Sequence, residues 1–271
     1  MNRLQNHLEL YAVDASNGHS RKFFTEDSKT YLEVNDHLTF LADNSGFIWM
    51  SSQNGWNHLY RYNMDGQLQN QITSGAFDVT DFYGIDEKSG KLYFQAAIKS
   101  PMNKDVFSID QKGNMKQLSN DPGTSTGMFS KGFRYRFITT STLNSPPVVK
   151  LYNTSGKFIR TEKDNGDIAA AMTGYNLSTG SFFKFTTAEN IELNGWMIKP
   201  PNFDPNKKYP VIQYMYGGPG SQTVKDEWMG PNFFWFQLLA QKGYIIVSVD
   251  NRGTGARGES FKNCTYLKLG H

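Results

Sequence analysis

The chain alternates short apolar and aromatic runs with polar turns that carry glycine, a pattern typical of β-strands joined by tight turns. Three such units align without gaps, and each has an aromatic anchor in its first strand. The anchors are Trp49, Tyr93 and Phe137, at a constant interval of 44 residues. A second strand follows in each unit, at 58–62, 105–109 and 148–152, and ends in a polar turn.

The glycines of these closing turns predict a repeated fold. An earlier copy of the template runs from Leu8 to Gly18, and the later turns contain Gly66, Gly113 and Gly156, at intervals of 48, 47 and 43 residues. A period in the mid-forties with several short strands is the spacing of β-propeller blades. A β-sandwich is the alternative, but it gives no reason for a constant anchor interval. We therefore expect residues 1–165 to form a partial β-propeller of three blades and part of a fourth.

The pattern changes after residue 165. Strand candidates lie at 181–186, 191–198, 211–216 and 244–249, and an apolar helix at 233–242 is stopped by Gly243. The last strand is nearly continuously apolar, as in strands buried on both faces. A strand, a glycine turn, a helix and a buried strand predict an α/β domain over residues 166–271. Because only two strands of the sheet core precede His271, we expect the first part of a larger domain.

Composition narrows the function classes. The 14% aromatic content and the 25 glycines suit antiparallel β-structure. With 28 Lys+Arg against 25 Asp+Glu, the net charge of +3 makes no electrostatic case for nucleic acid. The single cysteine, Cys264, excludes an internal disulfide, and the histidine spacing suggests no metal site. The chain has no apolar run of 18 residues, so no transmembrane segment is expected, and no cofactor is predicted.

Four segments together resemble a known family. They are Gly55–Tyr60 (GWNHLY), Asn194–Pro200 (NGWMIKP), Tyr214–Gln222 (YMYGGPGSQ) and Val249–Gly258 (VDNRGTGARG). The chain is similar over essentially its whole length to the dipeptidyl peptidase IV branch of the prolyl oligopeptidase family. The resemblance implies the last blades of a β-propeller followed by the first part of an α/β-hydrolase domain. It also implies a serine exopeptidase that releases Xaa-Pro or Xaa-Ala dipeptides from short peptides with a free N-terminus, and it suggests a homodimeric, periplasmic or cell-surface parent.

Most of the family's site residues have no match in this chain. The catalytic serine of the family lies in a G-x-S-x-G elbow, which is absent, and in α/β-hydrolases the acid and the histidine follow the serine. We therefore expect the triad to lie outside these 271 residues and the chain alone to be inactive. The family's pair of substrate-binding glutamates is also unmatched, since Glu26-Asp27 stands in a different context, so the substrate-binding residues remain unknown.

One family site residue does carry over. Tyr216, the second tyrosine of YMYGG, matches the tyrosine whose hydroxyl contributes to the oxyanion hole. Its place at the end of a sheet strand, before a glycine turn that lets backbone approach a ligand, suits that role. The alternative is an ordinary tyrosine whose hydroxyl caps a loop.

Three further features have two interpretations each. Asp250 and Arg252 could contact substrate, but we favour pairing with backbone or with each other. The segment Gly253–Gly258 reads G-x-G-x-x-G, yet it lacks the context of a dinucleotide site. Trp228 and the aromatic run Phe233–Phe236 could border a pocket, although helix packing is favoured.

Two rival functions remain open at this stage. One is a non-catalytic propeller module for protein interaction, in which the α/β part is an appendage. The other is an acylaminoacyl peptidase or an endo-acting oligopeptidase of the same family. A serine elbow followed by an acid and a histidine would distinguish the enzyme from the module, and the glutamate pair would distinguish the two kinds of peptidase.

Overall fold

The computed structural model describes residues 1–268. Strands β1 (His7–Val13) and β2 (Ser20–Asp27) form a two-stranded antiparallel sheet, and three antiparallel four-stranded sheets follow in chain order. The second sheet holds β3 (Thr39–Phe40), β4 (Phe47–Ser51), β5 (His58–Tyr62) and β6 (Leu68–Gln71). The third holds β7 (Val79–Asp86), β8 (Lys91–Ser100), β9 (Asn103–Ile109) and β10 (Met115–Gln117). The fourth holds β11 (Thr124–Phe129), β12 (Tyr135–Thr142), β13 (Ser145–Asn153) and β14 (Phe158–Lys163).

The repeat predicted from the sequence is confirmed at the level of strands. Each aromatic anchor lies in the second strand of a four-stranded sheet, β4, β8 or β12, and each predicted second strand becomes the third strand. The four turn glycines all have positive φ, between 75° and 89°. In every case the glycine N–H donates to the carbonyl of the first turn residue, which is Asp14, Asn63, Asp110 or Asn153. Only glycine adopts this backbone at low cost, which explains its recurrence.

The sheets pack face to face, and each neighbouring pair encloses an apolar core. Alternation along the strands sends successive side chains to opposite neighbours. In β4, for example, Phe47 and Trp49 pack against the first sheet while Ile48 packs against the third. Tyr93 of β8 and Ile138 of β12 lie in the core between the third and fourth sheets. The chain is thus mostly β, with sheets stacked as propeller blades stack.

The last sheet differs from the others in topology. After helix α1 (Gly166–Thr173) come β15 (Ser181–Thr186), β16 (Glu192–Ile198), β17 (Val211–Gln213), helix α2 (Pro231–Gln241), β18 (Ile245–Val249) and the short α3 (Glu259–Lys262). The sheet order is β15-β16-β18-β17, and β17 and β18 run parallel. Phe236 and Ala240 of α2 pack on Trp196 and Ile246, which are fully buried in the sheet.

Three details differ from the sequence expectations. The α1 helix was not predicted. The predicted strand 211–216 ends at Gln213, because the backbone leaves the sheet before Gly217, although the Tyr214 N–H still donates to the Val247 carbonyl. In β18 only Ile246 and Ser248 are fully buried, so one face of the strand is more enclosed than the other.

The four blade-like sheets end at Lys163 and the last sheet begins at Ser181. The domain boundary predicted between residues 165 and 166 remains a prediction. The last three residues of the predicted second domain, 269–271, lie outside the described residues. Within residues 1–268, no helix has the length and apolar character needed to cross a membrane.

Candidate functional site

A cavity of about 860 Å³ lies where the blade-like sheets meet the last part of the chain. On one side it is lined by the irregular loop from Ser28 to His37 and by the ends of neighbouring strands, including Ser51 and Lys104. On the other side it is lined by residues around Gly220 and by the segment from Gly255 to Asn263. Its volume is within the range of small-ligand pockets.

Tyr216 lies close to this cavity along the chain, four residues before Gly220. Its side chain is 75% exposed, and its ring lies over the backbone of Gly218, where any β-carbon would collide with it. The structure therefore places the predicted tyrosine at the surface, beside the carboxyl end of the parallel strand β17, and the cavity wall itself begins at Gly220. This position leaves the phenol free to reach a ligand.

Two glycine-containing turns near that tyrosine, at residues 217–220 and 251–253, are joined by hydrogen bonds. The Gly220 N–H donates to the Gly253 carbonyl at 2.7 Å, and Asn251 Nδ2 lies 3.4 Å from the Gly217 carbonyl oxygen. Gly217, Gly220 and Gly253 all have positive φ. The G-x-G-x-x-G spacing therefore has a packing explanation in this fold.

Asp250 fixes the second of these turns, as the favoured interpretation predicted. The side chain is buried, and its Oδ1 accepts hydrogen bonds from the N–H groups of Thr223 and Val224 and from the Thr223 hydroxyl, at 2.8–3.1 Å. Burial raises the pKa of Asp250, and these donors oppose the shift. Arg252 does not pair with Asp250 and instead lies 3.4 Å from Glu189.

A second buried aspartate joins the two sides of the cavity. Asp78, just before β7, accepts the N–H of Asn57 at 2.8 Å and the N–H of Gly258 at 2.9 Å. Glu259, which follows Gly258 in the chain, donates its N–H to the Gly55 carbonyl at 2.8 Å. The glycine-rich segment after β18 is thus attached to the second and third sheets by hydrogen bonds from its backbone N–H groups, one to the Asp78 carboxylate and one to the Gly55 carbonyl.

A third acidic residue makes a similar junction between the segment after Tyr216 and the third and fourth sheets. Asp226 accepts the Leu143 N–H at 2.9 Å and Asn103 Nδ2 at 3.1 Å, and its own N–H donates to the Met102 carbonyl at 2.8 Å. Gln222 Nε2 donates to the Pro101 carbonyl at 2.5 Å. The β8–β9 hairpin is therefore held against the segment that follows Tyr216.

The two acidic residues Glu26 and Asp27 face different surroundings. Glu26 accepts the Trp49 indole N–H at 2.7 Å and a hydrogen bond from the Ser51 hydroxyl. Burial raises the pKa of Glu26 against these donors. Asp27 is exposed and lies 2.6 Å from Nδ1 of His7. The carboxylate of Glu26 is thus occupied within the wall by two side-chain donors of β4, in the next sheet.

The aromatic residues after the glycine turn divide between packing and exposure. Phe233 and Phe236 are buried, and the Trp228 ring centroid lies 4.3 Å from that of Phe233, which is the helix packing favoured from the sequence. Phe234 and Trp235 remain exposed on the outer side of α2.

Sequence reasoning missed Asp78, Asp226 and the Ser28–His37 loop. Each aspartate is a single polar residue whose donors lie far away in sequence. They are 21 and 180 residues from Asp78, and 83 and 123 residues from Asp226. The loop lacks regular periodicity, so no pattern predicts its path. Only the family-like segments around Gly55 and Gly258 could have indicated that these regions meet.

Comparison with known proteins places these features in a family. The family model for the dipeptidyl peptidase IV (DPP IV) N-terminal region matches residues 1–147. Among curated proteins, dipeptidyl peptidase 4 of Trichophyton equinum is 29% identical over 99% of this chain, and that of Arthroderma otae is 31% identical over 83%. The chain spans only 36% and 30% of those two proteins, about a third of their length.

Two solved structures are similar over the whole chain. The crystal structure of Porphyromonas gingivalis dipeptidyl peptidase 4 matches with a TM-score of 0.93 and 37% identity, covering 100% of this chain and 38% of that one. A putative dipeptidyl aminopeptidase IV from Bacteroides ovatus matches with a TM-score of 0.85 and 28% identity, covering 99% of this chain and 41% of that one.

Proposed function

Because this chain belongs to the dipeptidyl peptidase IV family, we propose that it is part of a serine-type exopeptidase that removes N-terminal dipeptides from short peptides. The observation that carries this proposal is the likeness, over the full length of the chain, to a protein named dipeptidyl peptidase 4. Xaa-Pro and Xaa-Ala are the dipeptides we expect to be released.

The proposed architecture has two parts. Residues 1–165 are the terminal blades of a propeller, and residues 166–271 begin an α/β-hydrolase domain. The parallel pair β17–β18 with α2 between its strands in sequence supports the second assignment, because such a unit is the building block of α/β sheets. The cavity between the parts is the proposed entrance for peptide.

Tyr216 is the residue of this chain to which we assign a catalytic role. A serine outside the chain would attack the scissile carbonyl, and the carbonyl oxygen would gain negative charge in the tetrahedral intermediate. The Tyr216 hydroxyl would donate a hydrogen bond to that oxygen. Its exposure after the end of β17 and the hydrogen bond between the two glycine turns near it support this role. One such donor is worth about 10²–10³ in turnover.

The test uses the full-length protein that contains this chain and a Gly-Pro p-nitroanilide substrate. Tyr216→Phe should lower kcat by about 10²–10³ with little change in KM, because the bond forms in the transition state. Tyr214→Phe is the matched control. Tyr214 lies two residues before Tyr216, and its ring packs against Trp196 and Phe236. The 271-residue chain alone should release no product.

Each result has a definite meaning. An inactive full-length protein would contradict the peptidase and favour a non-catalytic propeller module. If the protein is active and both tyrosine variants behave alike, the assignment as a peptidase stands, but the proposed catalytic role of Tyr216 is contradicted. Cleavage within longer blocked peptides would favour an oligopeptidase of the same family.

A further inference from the structure

Lys104 is a cationic residue in the cavity wall that the proposed mechanism does not use. It is the second residue of β9, at the end of the hairpin that Asp226 and Gln222 hold against the segment after Tyr216. Its neighbour Asn103 donates to Asp226, and its other neighbour, Asp105, accepts the Ser119 hydroxyl at 2.8 Å. The backbone on both sides of Lys104 is therefore fixed, and its side chain belongs to the lining of the cavity.

Six carboxylates line the same wall, and five of them have partners. The sixth, Asp36, has no hydrogen bond or ion pair with any residue between 1 and 268, Lys104 included. Glu26 and Asp78 accept hydrogen bonds from the indole and backbone donors described above. Glu259 accepts the hydroxyls of Ser28 and Thr30, at 3.1 and 2.7 Å, and Glu33 pairs with Lys262 at 2.5 Å. These acids are therefore engaged by donors other than Lys104.

Lys104, in contrast, forms no ion pair and no side-chain hydrogen bond with any residue between 1 and 268. Its strongest neighbouring charge is Lys225, which lines the same cavity and is itself paired with Glu227 at 2.7 Å. Burial, and to a smaller extent the charge of Lys225, lower the pKa of Lys104, and the charges of Glu227 and Asp81 oppose the shift. A half-buried ammonium that shares a cavity wall with a second ammonium is stabilised by an anion that enters the cavity.

We propose that Lys104, with Lys225 beside it, binds a carboxylate of a peptide that occupies this cavity. The inference rests on the proposed function for the identity of the ligand as a peptide. The carboxylate is either the C-terminus of a short peptide or an acidic side chain after the scissile bond. A cavity of about 860 Å³ has room for a peptide of a few residues.

The experiment compares three peptides with the full-length protein: Gly-Pro-Ala as the free acid, Gly-Pro-Ala amide, and Gly-Pro-Asp amide. The wild type should cleave at least one of the two carboxylate peptides with a kcat/KM about tenfold above that of Gly-Pro-Ala amide, the range of a charge-assisted hydrogen bond. The preferred peptide identifies the source of the carboxylate. Lys104→Met should abolish the preference, so that the three peptides are cleaved with the same kcat/KM, and Lys104→Arg should retain it.

Lys116→Met is the matched control, because Lys116 is an exposed lysine on β10 of the same sheet. It should behave as the wild type. Equal kcat/KM for the three peptides in the wild type, or a preference that survives Lys104→Met, would overturn the proposal.

The design separates this proposal from the proposed function. If no peptide is cleaved, the peptidase assignment fails, and the same three peptides are titrated by calorimetry. A tenfold difference in Kd that Lys104→Met removes would then support the carboxylate site, whereas equal or undetectable binding would refute it.

Discussion

Replacing Gly258 with alanine is expected to open the junction between the glycine-rich segment and the blade-like sheets. Gly258 has φ 78° and ψ 166°, a conformation that is essentially restricted to glycine. A β-carbon there would lie 3.0 Å from the Gly55 carbonyl oxygen and 3.2 Å from the Trp56 ring. The same residue donates its buried N–H to Asp78 at 2.9 Å. A shift that relieves the collision therefore breaks this hydrogen bond.

The size of the effect follows from these contacts. The backbone conformation costs an alanine about 1–3 kcal/mol. Loss of the hydrogen bond to the buried Asp78 carboxylate costs about 1.5–3 kcal/mol. The two losses overlap, because the same movement relieves one and causes the other, so we expect a total of about 3–4 kcal/mol. That free energy corresponds to local opening that is about 10²–10³ times more frequent.

Hydrogen exchange measured by mass spectrometry tests this prediction. Peptides covering residues 55–58 and 258–263 should exchange about 10²–10³ times faster in Gly258→Ala than in the wild type. The control is Gly113→Ala, whose φ of 82° is also positive but whose β-carbon would meet no atom within 4 Å. It should cost about 1 kcal/mol, felt only at its own turn. The reasoning is refuted if Gly258→Ala leaves exchange at residues 258–263 at the wild-type rate, as Gly113→Ala should.

Two further predictions concern pH and the second junction. Burial lowers the pKa of His58, whose ring nitrogens lie 3.0 Å from Thr73 Oγ1 and the Gly75 carbonyl. Below the ordinary pKa of 6.5 the unfolded chain therefore binds more protons than the folded chain. The free energy of unfolding should fall as the pH is lowered through that value. His58→Gln should make the free energy of unfolding depend less steeply on pH in this range. At the junction made by Asp226, Asp226→Ala removes the acceptor for two donors. It should lower the free energy of unfolding, measured in urea, by about 2–4 kcal/mol.

Each of these has a control. Hydrogen bonding to Asp27 raises the pKa of His7, so its contribution is present at low pH and is lost as the pH rises, and the His58 comparison is made in a His7→Gln background. An unchanged pH slope in His58→Gln would contradict the first prediction. Asp65→Ala, at an exposed ion pair with Arg21, should cost less than about 1 kcal/mol. If Asp226→Ala costs no more than that, the junction does not depend on the Asp226 carboxylate.

The repeated part of the fold could be predicted from the sequence because its signals are local. An aromatic anchor such as Trp49 and a turn glycine such as Gly66 report their own strand and their own turn. Helix α2 was similarly visible, since apolar spacing and Gly243 mark both its face and its end. These features depend on residues within one hairpin or one helical turn of each other.

The cavity could not be predicted in the same way. Its walls come from distant segments, and their attachment depends on single polar residues such as Asp78 and Asp226 that have no periodic signature. Lys104 illustrates the difficulty, because the sequence shows only a lysine at the start of a strand. Its isolation from carboxylates becomes apparent only when the neighbouring segments are in place. Tyr216 was found through a family motif, and its catalytic role remains a proposal.

The recurrence of one turn in the three four-stranded blade-like sheets, at Gly66, Gly113 and Gly156, has a consequence for folding. Hairpins that close with the same turn can be exchanged between neighbouring sheets while the chain is still assembling, and repeat proteins misfold by such exchange. The anchors oppose it, because Trp49 faces Tyr60 across its strand pair, Tyr93 faces Ser108 and Phe137 faces Leu151. A hairpin in the wrong sheet would bring a bulky pair into space shaped for a smaller one. The divergence of the repeats thus protects the order of the sheets, while their shared turns preserve their shape.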